Sequence, residues 1–208
     1  MINLKKSTYL NLVKHDFSLE ILVHSNNVAN IAIKMADVMK LCHNEKLRLH
    51  EEALYHDIGK SKIPESILYK TGRLSTEEWK IMMKHPIYSE ELYLSIRNLD
   101  EETIKIAQVI RHHHENWDGT GYPDKMAKKR IPLHSRIIKI ADMFEAMTQP
   151  RIYRPFKIEN TLEVMEQLAG KEIDPYIFHK TYPILHKLLE NNLQENTMHW
   201  KVKSIVGG

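Results

Sequence analysis

The chain has 208 residues, 42% of them hydrophobic and 27% charged, and a formal net charge of +3 at pH 7. These values are typical of one globular domain that is long enough to bury a core. They argue against a membrane-spanning segment, because no apolar run approaches the roughly 20 residues that cross a bilayer, and the mild positive charge does not indicate nucleic-acid binding. The single cysteine, Cys42, cannot form an internal disulfide and fits a reducing cytoplasm, where we expect it to pack as a small hydrophobic side chain.

Apolar residues recur at spacings of three and four along most of the chain, which predicts an all-α fold. Three helix starts carry capping signals: Ser18, the Ser75–Glu78 capping box, and Asp174 followed by Pro175. The predicted helices cover residues 18–42, 45–56, 64–69, 75–85, 87–96, 100–114, 134–147, 159–169 and 175–193.

The sequence divides into a lead segment (residues 1–16), one helical domain (17–193) and a C-terminal tail (194–208). In the tail, apolar and basic residues alternate over residues 198–206, which predicts a short strand or an extended arm. No internal repeat and no further domain boundary are evident in the sequence.

One long irregular stretch, residues 115–133, interrupts the predicted helices. It contains the turn-forming pairs Asp118-Gly119 and Tyr122-Pro123. A loop of this length within a compact domain is usually functional. We therefore expect this segment to contribute to a binding or catalytic site.

The doublet His56-Asp57 lies in an apolar run that starts at Ala53 and continues through Ile58. A histidine and an aspartate are costly to bury there without a partner. A metal ion suits them, because neutral imidazole and carboxylate are both good ligands. A second doublet, His15-Asp16, has no apolar run before it, and we interpret it as solvated near a helix start.

Two further histidines stand where a helical pattern calls for apolar residues. His113 and His114 continue the apolar face of the helix predicted over residues 100–114, whereas His112 is predicted to point elsewhere. A single inward-facing histidine is usually an ordinary core residue. Two in succession, followed by a long loop, are harder to explain in that way.

Acidic residues interrupt apolar faces as well. Glu20 and His24 are one helical turn apart and are predicted to face inward together, although Glu20 could instead be solvated at the start of its helix. Asp142 lies within an apolar helix, where the alternative to a cation is a salt bridge to Arg136 or Arg151. Taken together, the following residues predict a multinuclear metal site that breaks phosphate esters: Glu20, His24, His56, Asp57, His85, His113, His114 and Asp142.

The order of these segments resembles the HD-GYP family, a branch of the HD-domain metal-dependent phosphohydrolases. The run from His56 to Lys60, with Ile63-Pro64 after it, is similar to the family's HDIGK-IP signature. The run from His113 to Pro123 is close to its HHExxDGxGYP segment. Further matches to the family's motifs are His24-Ser25, His85-Pro86, Ile131-Pro132, Ala141-Asp142 and, for the family's RPYR motif, Arg151-Ile152-Tyr153-Arg154.

The resemblance implies a single all-α HD-domain bundle with a long GYP loop and additional C-terminal helices. It also implies two or three divalent ions, iron or manganese in the first place, although zinc and nickel accept the same ligands. Glu20 is similar to the extra ligand of trinuclear members. The expected ligands are Glu20, His24, His56, Asp57, His85, His113, His114 and Asp142.

The activity implied by the resemblance is that of a bacterial cyclic di-GMP phosphodiesterase. A metal-bridged hydroxide would open the cyclic dinucleotide to pGpG, with a second cleavage to GMP left open. Asp57 and Lys60 are the expected catalytic residues, with Lys60 also binding the phosphate. Tyr122, Arg151 and Arg154 are the expected substrate contacts, since arginine offers paired donors to guanine.

The chain departs from the family pattern near the substrate loop. Glu145 stands where the family usually has Asp, no glycine is present near Lys125 or Lys128, and residues 149–152 differ from the usual Ser-Asp-Arg-Pro. These differences leave the metal ligands intact and concern the substrate. Three alternatives therefore remain: another cyclic dinucleotide such as cyclic GMP-AMP, a nucleotide, or a catalytically weak module that binds the dinucleotide in signalling.

The remaining partners are predicted from weaker signals. We expect no DNA, RNA or membrane partner, because only the mild basicity of the chain would support one. A homodimer or a signalling partner would find apolar contact surfaces on residues 184–193 and on the tail.

Overall fold

The computed structural model describes residues 17–148 and 160–206, with side chains described for residues 19–148 and 160–193. Within these residues the regular elements are helices, together with one isolated bridge between Ala169 and Ile173. The all-α prediction is confirmed. The α-helices are α1 (Phe17–Met39), α2 (His43–Tyr55), α3 (Glu65–Leu68), α4 (Thr76–Met82), α5 (His85–Ser95), α6 (Glu101–Arg111), α7 (Leu133–Thr148), α8 (Thr161–Leu168) and α9 (Pro175–Val206), and two 3-10 helices cover Ile58–Lys62 and Lys128–Arg130.

The main hydrophobic core lies between α1, α7 and α9. The buried face of α1 consists largely of alanines, Ala29, Ala32 and Ala36, which let neighbouring helices approach its backbone closely. Large side chains from the other helices, among them Phe144 and Phe178, fill the space beside them. This packing holds α1 and α7 side by side, so polar residues on their facing surfaces are brought together.

A second, smaller core lies under the end of α2 and joins it to α5 and α6. Tyr55, Ile58, Tyr93 and Ile110 are buried in it. Leu54 packs against both cores. Because the His56-Asp57 doublet follows Leu54 by two residues, it lies where the two cores meet.

Two of the three predicted caps are present in the structure, whereas Ser18 does not cap α1, because the helix already begins at Phe17. Ser75 accepts a hydrogen bond from the backbone N–H of Glu78, whose carboxylate accepts one from the backbone N–H of Ser75. Asp174 accepts a hydrogen bond from the backbone N–H of Tyr176 at 2.9 Å at the start of α9.

None of the described helices combines the length and the apolar character that crossing a bilayer requires.

Two predictions about local structure are wrong. Residues 198–206 form neither a strand nor an arm, because α9 continues to Val206. No glycine or proline lies between residues 184 and 206, so nothing in the sequence ends the helix. Cys42 is exposed rather than packed, because it precedes α2 in the position that caps the helix.

The long loop after α6 is held in place by a buried carboxylate. Glu115 accepts hydrogen bonds from the backbone N–H groups of Asp124 at 2.7 Å and Met126 at 3.0 Å. A side chain at Gly121 would put its Cβ 2.2 Å from the backbone nitrogen of Asn116, so only glycine allows this close approach. The loop is therefore folded back on itself and against the end of α6.

Candidate metal centre

Three histidines are oriented by the backbone at helix ends. His56 and His113 follow the last turns of α2 and α6, and His85 opens α5. Each ring places Nδ1 within hydrogen-bond distance of the carbonyl oxygen three residues earlier: 2.7 Å to Ala53, 2.6 Å to Ile110 and 2.8 Å to Met82 respectively. When Nδ1 donates to a carbonyl, Nε2 is left as the free lone pair for an ion.

Asp57 lies at the centre of the cluster and is buried. Its Oδ2 atom is 3.3 Å from Nε2 of His24 and 3.5 Å from Nε2 of His56. Its Oδ1 atom is 3.2 Å from Nε2 of His85 and 3.8 Å from Nε2 of His113. The two oxygens of one carboxylate therefore face two different pairs of histidines, which is the arrangement expected of a carboxylate that bridges two ions.

The ligand atoms form two adjacent groups that share Asp57. His24, His56 and Asp57 make one group; Asp57, His85, His113 and His114 make the other, and within each group the atoms lie within 4.8 Å of one another. His56 Nε2 and Asp57 Oδ1 are buried and make no hydrogen bond among the described residues. Buried polar atoms of this kind are costly unless an ion or donor satisfies them. The residues present therefore fit divalent cations.

The charge states of four of these side chains also suit metal ligation. Burial lowers the pKa of His56, and it lowers those of His113 and His114 well below the usual range, aided by the neighbouring histidines. Burial raises the pKa of Asp57, but Lys60 and the histidines outweigh it and hold that pKa well below the usual range. Neutral imidazoles around an ionised carboxylate are the forms that bind cations.

His24 on α1 is surrounded by carboxylates. Its Nε2 atom is 3.2 Å from Asp142 Oδ1, and its Nδ1 atom is 2.7 Å from Glu145 Oε2. Burial lowers the pKa of His24, but hydrogen bonds to Asp142, Asp57 and Glu145 outweigh it and raise the pKa to about 11. The site thus concentrates negative charge that a cation can balance, and Asp142 lies in it beside His24, while its role as a metal ligand stays a prediction.

Glu145 supports this site, and sequence reasoning missed its role. Its side chain is only 4% exposed, and it accepts a hydrogen bond from Nδ2 of Asn27 at 3.3 Å as well as from His24. The sequence identified it only as a departure from the family pattern. The signal was its position on α7, three residues after Asp142 and hence on the same helical face.

Gly59 explains how the HD doublet reaches His85. A Cβ at this position would be 2.2 Å from the carbonyl oxygen of His85, and the Gly59 N–H donates to Ser89 Oγ at 2.8 Å. The turn after α2 therefore packs directly on the first turn of α5. Lys60 follows, and its ammonium contacts Asp57 Oδ2 while its side chain stays 23% exposed.

Tyr122 of the GYP loop lies against the histidine cluster. Its ring stacks on His114 with centroids 4.9 Å apart and an interplanar angle of 20°. Burial raises the pKa of Tyr122, and the charges of Asp57 and Asp142 add to the effect, so the phenol keeps its proton. His112 points away, as predicted, with its Nε2 atom 2.8 Å from Asp124 Oδ2.

Two interpretations from the sequence have a different outcome, and others stay untested. Glu20 is exposed and does not face inward, because the buried stripe of α1 runs through Ile21 and Ser25, one residue further along; its role as a third-ion ligand stays a prediction. The alternative salt bridge from Asp142 to Arg136 is wrong, because Arg136 pairs with Asp174 at 2.6 Å. Arg151, Arg154 and the His15-Asp16 doublet lie outside the described residues.

Comparison with known proteins agrees with this geometry. The family model of the HD domain matches residues 1–177. The chain is 37% identical over 154 residues to the 3′3′-cGAMP-specific phosphodiesterase 2 of Vibrio cholerae, covering 73% of this chain and 29% of that protein. It is 37% identical over 133 residues to a cyclic di-GMP phosphodiesterase of the same organism, covering 62% of this chain and 27% of the relative.

A solved structure shares the fold. An HDG"Y"P protein from Bdellovibrio bacteriovorus superposes with a TM-score of 0.63 at 20% identity, over 86% of this chain and 56% of that one. The chain spans less than a third of the length of the two curated relatives. With a family model that covers most of its length and a histidine-aspartate cluster at the matching motifs, the chain belongs to the HD domain family, as its HD-GYP resemblance predicted.

Proposed function

We propose that the chain hydrolyses a phosphodiester bond of a cyclic dinucleotide, cyclic di-GMP in the first place, at a centre of two divalent ions. The observation that carries the proposal is the position of Asp57, whose two oxygens face separate histidine pairs at 3.2 to 3.8 Å. The curated relatives named as phosphodiesterases support the reaction class, and the substrate of this chain is inferred from them.

Each ion would have its own set of side chains. The first set is His24, His56 and Asp142, and the second is His85, His113 and His114, with Asp57 shared between them. Bound divalent ions supply a nucleophile from water and neutralise the charge of the phosphate. The chain's part is to hold the two sets rigidly, which the carbonyl contacts of His56, His85 and His113 do.

Lys60 is the group we assign to the reacting phosphate. Its ammonium is partly exposed and contacts Asp57, so it lies at the edge of the centre where a phosphate oxygen would arrive. From there it can donate hydrogen bonds to a non-bridging oxygen and assist the leaving oxygen. Asp57 and Lys60 are thus the proposed catalytic residues, and the protonated Tyr122 is a further donor beside them. Arg151 and Arg154 stay the proposed contacts to the bases.

The identity and number of ions belong to the same proposal. Imidazole and carboxylate ligands accept iron, manganese, zinc and nickel, and supply decides among them as much as geometry does. We propose iron or manganese. Two ions follow from the two groups around Asp57, and a third would require Glu20, which lies one turn before His24 on α1.

Cyclic GMP-AMP is the second candidate substrate. It is favoured because a Vibrio cholerae relative specific for 3′3′-cGAMP is as similar to this chain, at 37% identity, as the cyclic di-GMP phosphodiesterase is. Both substrates present the same phosphodiester ring to the metal centre. Choice between them would therefore depend on residues that contact the bases.

A substrate panel tests the proposal. Protein loaded anaerobically with Fe(II) or Mn(II) is incubated with cyclic di-GMP, 3′3′-cGAMP and cyclic di-AMP, and the products are resolved by chromatography. We expect cyclic di-GMP to yield pGpG, with Asp57→Asn inactive and the exposed-acid variant Asp37→Asn as active as the parent. Tight binding without product under every metal would contradict hydrolysis and favour a binding module.

A further inference from the structure

The short helix α4 lies beside the candidate site with its side chains largely in solvent. It spans Thr76–Met82 and contains no buried residue. Its position is fixed at its start by the Ser75–Glu78 capping box and by the ion pair between Lys70 and Glu78 at 2.7 Å. Three residues after it ends, His85 opens α5. α4 therefore carries one exposed large apolar side chain close to the candidate metal ligands, whereas its Ile81 and Met82 are half-buried.

Trp79 is that side chain. It is 47% exposed, although an indole is among the side chains that gain most from burial. Its ring meets Tyr122 edge-on, with centroids 6.3 Å apart and an interplanar angle of 81°. Tyr122 in turn stacks on His114. An aromatic path thus runs from a metal ligand to an indole that faces solvent.

A cyclic dinucleotide has the parts to occupy this path. Its phosphate would lie at the metal centre, and each of its purine bases projects outward, one ribose away from a phosphate. Purines stack on exposed aromatic side chains, whatever hydrogen bonds they also make. An indole that is 47% exposed and lies two ring contacts from His114 suits such a base.

We propose that Trp79 is a stacking platform for one purine base of the substrate. The inference rests on the proposed cyclic-dinucleotide function and adds a residue that recognises the base rather than the phosphate. Stacking is tolerant of base identity, so Trp79 would favour purine dinucleotides over base-free diesters without separating cyclic di-GMP from cyclic GMP-AMP.

The test compares Trp79→Ala and Trp79→Phe with the parent chain, each loaded with Mn(II), on two substrates. One substrate is cyclic di-GMP; the other is methyl p-nitrophenyl phosphate, a diester without a purine. We expect Trp79→Ala to lower kcat/KM for cyclic di-GMP by about 5- to 100-fold, mainly through KM. The loss on the simple diester should be several times smaller, and Trp79→Phe should retain most of the activity on cyclic di-GMP.

Controls separate this role from a structural one. Tyr176→Ala removes an exposed aromatic ring on α9 that contacts Lys180, and it should leave both activities unchanged. Melting temperature and metal content are measured for every variant. Equal losses on the two substrates would mean that Trp79 only supports Tyr122, and no loss on either would equally overturn the proposal.

A binding measurement distinguishes failure of this proposal from failure of the proposed function. If the parent chain cleaves neither substrate, hydrolysis is refuted, and Trp79 is then judged from the affinity for cyclic di-GMP by calorimetry. Stacking predicts that Trp79→Ala raises Kd at least about fivefold while Tyr176→Ala does not. A parent chain that neither cleaves nor binds the dinucleotide overturns both proposals.

Discussion

The metal-binding side and the substrate side of this site are built differently. On the metal side, His56, His85 and His113 lie at helix ends in the core, each held by a carbonyl from its own preceding turn. On the proposed substrate side, Trp79 and Lys60 are partly exposed, and they lie on a short α-helix and a 3-10 helix. We therefore propose that the fold specifies the ion positions, while surface residues that can change without disturbing the core specify the substrate.

The largest effect should come from the residue shared by the two ion groups. We expect Asp57→Ala to abolish hydrolysis and to lower the metal content by at least one ion per chain, because both proposed sites lose a ligand at once. Activity and elemental analysis are measured on the same anaerobic preparation. Unchanged turnover in this variant would refute the proposed centre.

Lys60 tests whether the residue proposed to bind the phosphate is separate from those proposed to bind the ions. Lys60→Ala should slow hydrolysis by about 100-fold or more while metal content stays the same, because the ammonium acts on the phosphate and not on the ions. Lys62→Ala is the matched control, since Lys62 is exposed and pairs with Glu91 at 3.0 Å. A loss of metal in Lys60→Ala would assign the residue to the metal side instead.

Glu145 tests whether a residue that only contacts a proposed ligand, His24, also affects metal binding. Glu145→Gln keeps the size of the side chain but weakens its hold on Nδ1 of His24. We expect metal affinity to fall by about 10- to 100-fold, as for other groups that orient a ligating histidine. Titration of metal into the chelated protein measures the affinity, with the exposed-acid variant Glu163→Gln as control; equal affinities in the two variants would contradict the role.

Asp124 provides a test on the loop that carries Tyr122. Hydrogen bonds from Arg111 lower the pKa of its carboxyl group to about 2, with His112 contributing, whereas the unfolded chain has the ordinary value of 3.8. Because the folded pKa is depressed, the stabilisation is present above pH 3.8 and is lost as pH falls toward 2. The difference in free energy of unfolding between the parent and Asp124→Asn should shrink over that window; a constant difference would mean that the carboxylate charge contributes nothing.

The smallest effect concerns backbone strain in the same loop. Lys125 has φ +55°, in the left-handed region that favours glycine. We expect Lys125→Gly to leave the free energy of unfolding unchanged or to raise it by up to about 1 kcal/mol. Lys129→Gly, at a neighbouring position without positive φ, should lower it by about 0.5–1 kcal/mol. Chemical denaturation measures both, and equal losses would show that strain at Lys125 is unimportant.

Sequence reasoning succeeded where a periodic pattern and a polar exception coincided. His113, His114 and Asp142 could be predicted to face inward because they interrupt apolar helical faces. It failed on Glu20, because a stripe with spacings of three and four leaves the edge of the buried face uncertain by one residue, and Ile21 is the residue that is buried. The continuation of α9 was missed for a similar reason, since a short alternation of apolar and basic residues fits two periodicities.

Long-range partners could not be predicted from local patterns. The contact between His24 and Glu145 joins residues 121 positions apart, and only the packing of α1 against α7 brings them together. The pairing of Arg136 with Asp174, which removed one explanation for Asp142, is also set by tertiary structure. Trp79 has no periodic signal at all, because α4 buries none of its residues.

We propose that Asp57 is shared by two ion sites, each with its own histidines. Elemental analysis of anaerobically purified chain, normalised to protein by amino-acid analysis, measures how many ions the chain holds. We expect at least two iron or manganese ions per chain. A preparation that binds one ion or none at saturating metal, with the fold intact, would contradict it.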